Sequence, residues 1–89
     1  MLIVQGDAIN RSRLPTTIGV PLTSNLAWAD APGNSLLSAK TTGLDRDSVA
    51  QGTLIMAIDK SSLSDRAGRI SERQLERVLS RIEVLLGRE

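Results

Sequence analysis

Only one stretch of this 89-residue chain carries a helical repeat. Leu75, Val78, Leu79, Ile82, Leu85 and Leu86 recur at steps of three and four, which winds them onto one side of a helix. Arg73, Glu76, Arg77, Glu83 and Arg88 take the opposite side. Ser71 followed three residues later by Gln74 predicts a capping box, and Gly87 supplies the stop. Glu72 with Glu76, and Arg73 with Arg77, set like charges four residues apart, so the helix depends on packing more than on surface pairs. One amphipathic helix cannot form a core alone. It needs a second layer.

The remaining apolar residues come in short runs bounded by Gly, Asp, Asn or Pro, the pattern of strands. Residues 2–5 and 16–22 read as buried strands. Between them Asp7 can cap a single turn over residues 8–11, and Pro15 returns the chain to an extended path. Residues 25–34 read as a loop containing a tight Pro32-Gly33 turn. Strand candidates follow at 35–39, 47–50 and 54–58, with Gly52 marking a bulge or sharp bend between the last two. Ser61 to Gly68 reads as irregular. Several short strands ahead of one terminal helix point to an α+β domain with a strongly bent sheet. Residues 1–89 are expected to form one domain. At this size only about 60% of the unfolded surface is buried, so a partner is expected.

Composition narrows the chemistry. The chain has no cysteine and no histidine, so disulfides, thiolate metal sites and imidazole acid–base catalysis are poor fits. Eleven basic against ten acidic residues leave a net charge of +1, so any nucleic-acid site must be local. Nine of the eleven cations are arginine, whose planar fork matches phosphate oxygens. Most of those after Arg66 read as the solvated face of a helix. No apolar run approaches the roughly 20 residues needed to cross a bilayer. Residues 1–5 lack a charged n-region and a cleavage signal, so they read as a strand of the fold.

Several segments also share their order with a known family. They are Leu2-Ile3-Val4-Gln5, an Asp-x-x-Asn-Arg-Ser turn at 7–12, the Pro21-Leu22-Thr23-Ser24-Asn25 exit of the second strand, and Ala31-Pro32-Gly33-Asn34 leading into Leu36-Leu37. Gly43-Leu44-Asp45-Arg46-Asp47-Ser48-Val49 and Ile58-Asp59-Lys60 complete the set. Together they resemble MazF/PemK-type toxins, the endoribonucleases of toxin–antitoxin pairs, over Leu2 to Gly87. The resemblance implies a small SH3-like β-barrel with a C-terminal helix, forming a cytoplasmic homodimer. It further implies cleavage of single-stranded RNA at short sequences without metal or other cofactor, silenced by an antitoxin protein. Two departures stand out. The family carries an extra first strand and a loop ending in Arg-Pro ahead of the strand that here begins at Leu2. That loop supplies its catalytic arginine, and this sequence offers no residue there, which reads as an N-terminally abbreviated member. Leu54 also occupies a place where many members have glutamine.

The same resemblance gives Thr23 the position of the family's catalytic threonine. Its hydroxyl can donate to a phosphoryl oxygen, a positioning role rather than a basic one. Ser24 and Asn25 become candidate RNA contacts, with a strand-terminating turn as the alternative reading of Thr23-Ser24-Asn25. Asn10, Arg11 and Arg13 are candidate RNA-binding residues in the first connection, or else a solvated turn. Trp28, the one aromatic residue, could stack on a base, but a place in the core or at a partner interface is the favoured reading. Three functions remain open. One is a toxin ribonuclease, another a non-catalytic member serving as a dimerisation or antitoxin-binding module, and the third an adaptor barrel unrelated to RNA.

Overall fold

A computed structural model describes residues 1–63 and 70–88. The strands are β1 (Leu2–Ile3), β2 (Thr16–Val20), β3 (Leu22–Thr23), β4 (Asn34–Leu37), β5 (Ser48–Gln51) and β6 (Met56–Asp59). The helices are α1 (Asp7–Asn10), α2 (Ala39–Thr42) and α3 (Glu72–Leu85), joined by 3-10 turns at Leu26–Asp30, Gly52–Leu54 and Lys60–Ser62. Residues 64–68, most of the stretch expected to be irregular, lie outside the described residues, as do Arg66 and Arg69.

All strand pairs are antiparallel, in two three-stranded sheets ordered β1-β2-β6 and β3-β5-β4. The run expected as one strand over 16–22 is split at Pro21, where the missing N–H interrupts the ladder and the chain passes into the second sheet. Its partner makes the same passage at Gly52. The Gln51 N–H donates to the Pro21 carbonyl oxygen at 2.9 Å and ties the two corners together. Gly19 faces Met56 and Leu22 faces Ala50, so three residue steps on one strand lie opposite six on the other. The 3-10 turn Gly52–Leu54 takes up the surplus. The bend predicted at Gly52 is therefore present, and it delays the following strand to Met56. Among the described residues, the bent sheet takes the form of these two sheets joined at corners, and no ladder closes them into a barrel.

Helix α3 closes one side. Gln74 N–H donates to Ser71 Oγ at 3.1 Å and Ser71 N–H to Gln74 Oε1 at 3.0 Å, forming the capping box. At the other end Arg88 N–H donates to the Glu83 carbonyl oxygen and Gly87 N–H to that of Val84, with Gly87 at φ +73°. This is a Schellman stop, which glycine adopts without steric cost. Val78 and Ile82 are buried with Val20, Leu37 and Ala50, and Leu2, Val4, Leu22 and Ile70 pack around them. The apolar stripe emerges toward its C-terminal end, where Leu85 and Leu86 are 39% and 68% exposed. Two glycines allow the helix to sit so close. A Cβ on Gly52 would run into the Gly33 carbonyl oxygen and the Ile82 side chain, and one on Gly33 would meet Leu85. Among the described residues no helix is long and apolar enough to cross a membrane.

Candidate functional site

Thr23 ends β3 opposite Val49 and is half-buried. Its Oγ1 accepts the Asn25 N–H at 3.2 Å. A threonine hydroxyl has two lone pairs and one proton, so this bond fixes the side chain and leaves the proton free to donate outward. Asn25 continues the turn, its Oδ1 accepting the Ala27 N–H at 3.2 Å and capping the 3-10 turn Leu26–Asp30. The strand-terminating turn expected from this tripeptide is thus present. Among the described residues it uses the acceptor side of Thr23 alone, which keeps the donor role open. Ser24 and Asn25 are exposed beside it.

The 3-10 turn carries Trp28, and the structure removes the core half of the sequence reading while leaving its partner-interface half untouched. Trp28 is 55% exposed and does not plug the core. Asn34, 2% exposed, holds the turn from beneath, its Nδ2 donating to the Trp28 carbonyl oxygen at 3.0 Å.

Asn10, Arg11 and Arg13 lie at the other end of the bent ribbon, where β2 begins and β6 ends with Thr16 opposite Asp59. Asn10 is half-buried and closely bonded. Its Oδ1 accepts from Gln5 Nε2 at 2.9 Å and Thr17 Oγ1 at 2.6 Å, and its Nδ2 donates to the Gln5 carbonyl oxygen at 3.1 Å. These bonds occupy both lone pairs of the amide oxygen and make Asn10 a brace for the connection, with one amide hydrogen left over. Arg11 and Arg13 extend from the braced segment and are exposed. Thr23, Ser24 and Asn25 therefore form one cluster and Asn10, Arg11 and Arg13 another. The length of β2, the Pro21 corner and β3 separate them.

A family model described as PemK-like, MazF-like toxin of type II toxin-antitoxin system matches residues 1–86. The chain belongs to this PemK/MazF-like toxin family. It is 44% identical over 86 residues to endoribonuclease MazF6 of Mycobacterium tuberculosis, an alignment covering 89% of this chain and 75% of the relative. Endoribonuclease EndoA of Bacillus subtilis is 30% identical over 86 residues, covering 97% of this chain and 73% of the relative. The fold is that of the solved Mycobacterium tuberculosis toxin MazF-mt6, with a TM-score of 0.85 and 17% identity across 99% of this chain and 85% of that one.

Two residues of this PemK/MazF-like chain acquire roles that its sequence did not disclose. Lys60 Nζ donates to the backbone oxygens of Asn10 at 2.7 Å and Ser12 at 3.2 Å, while the Lys60 N–H donates to that of Pro15 at 2.8 Å. One residue at the end of β6 so fastens the whole Arg11–Arg13 segment. The Ile58-Asp59-Lys60 motif was the available signal, but it gives no hint of the acceptors. Asp47 accepts the Ala39 N–H at 2.8 Å and helps cap α2. In the first sheet, Leu2 pairs with Val20. The polypeptide thus enters that sheet at its corner end, the end that leads to Thr23.

Proposed function

We propose that this chain is a toxin endoribonuclease that cuts single-stranded RNA at short sequences without a metal ion, works as a cytoplasmic homodimer, and is neutralised by a cognate antitoxin. Residues 1–89 act as one domain in this reading. Its support is family membership together with the Thr23 geometry, a hydroxyl held at a strand end with its proton free.

RNA carries its own nucleophile. The 2′-oxygen attacks the adjacent phosphorus as the bond from phosphorus to the 5′-oxygen breaks, leaving a cyclic phosphate and a 5′-hydroxyl. The 2′-proton passes to solvent water and the departing 5′-oxygen takes one from it, so the protein's main task is to stabilise charge on the phosphoryl oxygens. Thr23 donates its hydroxyl proton to one of those oxygens. Ser24 and Asn25 contact the adjoining nucleotide, and Arg11 and Arg13 hold phosphates farther along a strand laid over the β2–β3 ribbon, in the segment braced by Asn10.

The reading is tested by incubating the chain with a long single-stranded RNA in the presence of a chelator, beside a Thr23→Ala variant. Discrete fragments ending in cyclic phosphate and lost in the variant support it; intact RNA in the presence of a folded, undegraded chain overturns the catalytic claim. One observation favours the non-catalytic reading as the alternative. The exposed arginines Arg11 and Arg13 sit at the opposite end of the ribbon from Thr23. Neither stands as a direct substitute for the family's catalytic arginine within one protomer.

A further inference from the structure

We infer that Trp28 is a stacking platform for a nucleobase of the single-stranded RNA whose phosphate is held at Thr23. The inference rests on the RNA-cleaving reading above and adds to it a substrate-binding residue. Trp28 is the only aromatic residue in the chain, and more than half of it faces solvent. The core is filled by aliphatic side chains without it.

Its backbone is held from three directions. The Trp28 N–H donates to the Asn25 carbonyl oxygen at 3.2 Å, and the Trp28 carbonyl oxygen accepts from the Ala31 N–H at 3.2 Å and from the buried Asn34 Nδ2 at 3.0 Å. An exposed indole on a fixed backbone loses little freedom when a flat ring stacks on it, which favours binding. The same bonds set its position relative to the site. Asn25, which receives the Trp28 N–H, donates its own N–H to Thr23 Oγ1. Phosphate donor and aromatic face are therefore joined through a single intervening residue. The surroundings also suit a nucleobase, because the exposed Ser24 and Asn25 offer hydroxyl and amide groups to base edges. Stacking of this kind tolerates every base, since all have a π-face.

A short 2′-O-methyl RNA oligonucleotide, which lacks the attacking hydroxyl, serves as the probe. With no tyrosine or phenylalanine present, intrinsic fluorescence reports Trp28 alone. Expected is a change in tryptophan emission that saturates together with the anisotropy of the end-labelled oligonucleotide. Trp28→Phe keeps a ring and binds close to the unsubstituted chain, whereas Trp28→Ala and Trp28→Leu bind about fivefold to a hundredfold more weakly. Stacking releases no counterions, so these variants keep the salt dependence of binding, while Arg11→Ala and Arg13→Ala each flatten it by about 0.7 in log–log slope. Binding by anisotropy with unchanged tryptophan emission, or Trp28→Leu binding like the unsubstituted chain, overturns the platform and leaves the RNA reading standing. No binding of the oligonucleotide or of unmodified RNA overturns both. An emission change produced only by a second copy of the chain would assign Trp28 to a protein interface and also overturn the platform.

Discussion

The Lys60 ammonium donates to the backbone oxygen of Asn10 at 2.7 Å across fifty residues of sequence. It anchors the β1–β2 connection from outside that connection, and a second bond reaches Ser12. Hydrogen bonds to a charged donor contribute about 1.5–3 kcal/mol when sheltered and less toward solvent. Lys60→Met is therefore expected to cost about 1–2 kcal/mol, which for a domain of this size lowers the melting temperature by roughly 4–16 °C. A Lys60→Met chain that melts with the unsubstituted one would remove Lys60 from this role.

Gly52 and Gly33 lie together under α3, but their substitutions carry different penalties. A Cβ at Gly52 meets backbone, the Gly33 carbonyl oxygen, which cannot rotate away. At Gly33 the obstacle is the Leu85 side chain, which is 39% exposed and has room to move. Gly33→Ala still forces a left-handed residue at φ +85°, costing about 1–2 kcal/mol. Urea unfolding should rank Gly52→Ala as the more destabilising, and Leu85→Ala should partly rescue Gly33→Ala but leave Gly52→Ala unrelieved. Equal losses for the two glycines would contradict this account of the helix seat.

How much of this was legible in the chain depended on whether the bonds are local. The capping box at Ser71 and Gln74 and the stop at Gly87 involve neighbours in sequence, and both formed where expected. Gly52 announced a bend. It could not announce a three-residue turn, because that surplus is fixed by the register against Gly19 and Leu22. Ala39 was read as strand, yet Ser38 Oγ and the distant Asp47 cap a helical turn beginning there. At the candidate site, the Thr23-Ser24-Asn25 turn was readable from hydroxyl and amide residues at a strand end. The fastening of the arginine segment by Lys60 was not, since backbone oxygens carry no sequence signature. Trp28 was read as a core or partner-interface residue, and its exposure rules out the first of these.

Ser35 presents a buried hydroxyl with no hydrogen-bond partner among the described residues, and the residue is only 6% exposed. An unpaired buried polar group carries a desolvation cost of about 1–3 kcal/mol. Ser35→Ala removes that cost while leaving a space smaller than a methyl group. The variant should match or exceed the unsubstituted chain by up to about 1 kcal/mol in urea unfolding. Clear destabilisation would mean that the hydroxyl has a partner in solution, such as an ordered water.

At Thr23 the proposed chemistry requires the hydroxyl proton, not merely the shape of the side chain. Thr23→Val keeps the branched shape but removes the donor. Losing one donor to developing charge typically lowers kcat by about a hundredfold to a thousandfold, with little change in KM if the bond matters mainly in the transition state. Thr23→Ser restores the donor and should recover most of the rate. A valine variant that cleaves as fast as the serine variant would reduce Thr23 to the turn-forming role of its bond with Asn25.

The proposed homodimer has a definite candidate surface. Among the described residues, strand β6 is bonded on one side only, to β2, and so presents a free backbone edge. Around it Ile18, Leu54, Ile55 and Met56 are 39%, 50%, 42% and 46% exposed. A free edge beside clustered apolar side chains is the surface that a second chain most readily covers, and a lysine placed there opposes such pairing. Met56→Lys should therefore shift the chain from dimer to monomer in sedimentation while leaving its circular dichroism unchanged, because Met56 contributes little to the buried core. A dimer that withstands Met56→Lys and Ile55→Asp together would place the subunit contact on another face.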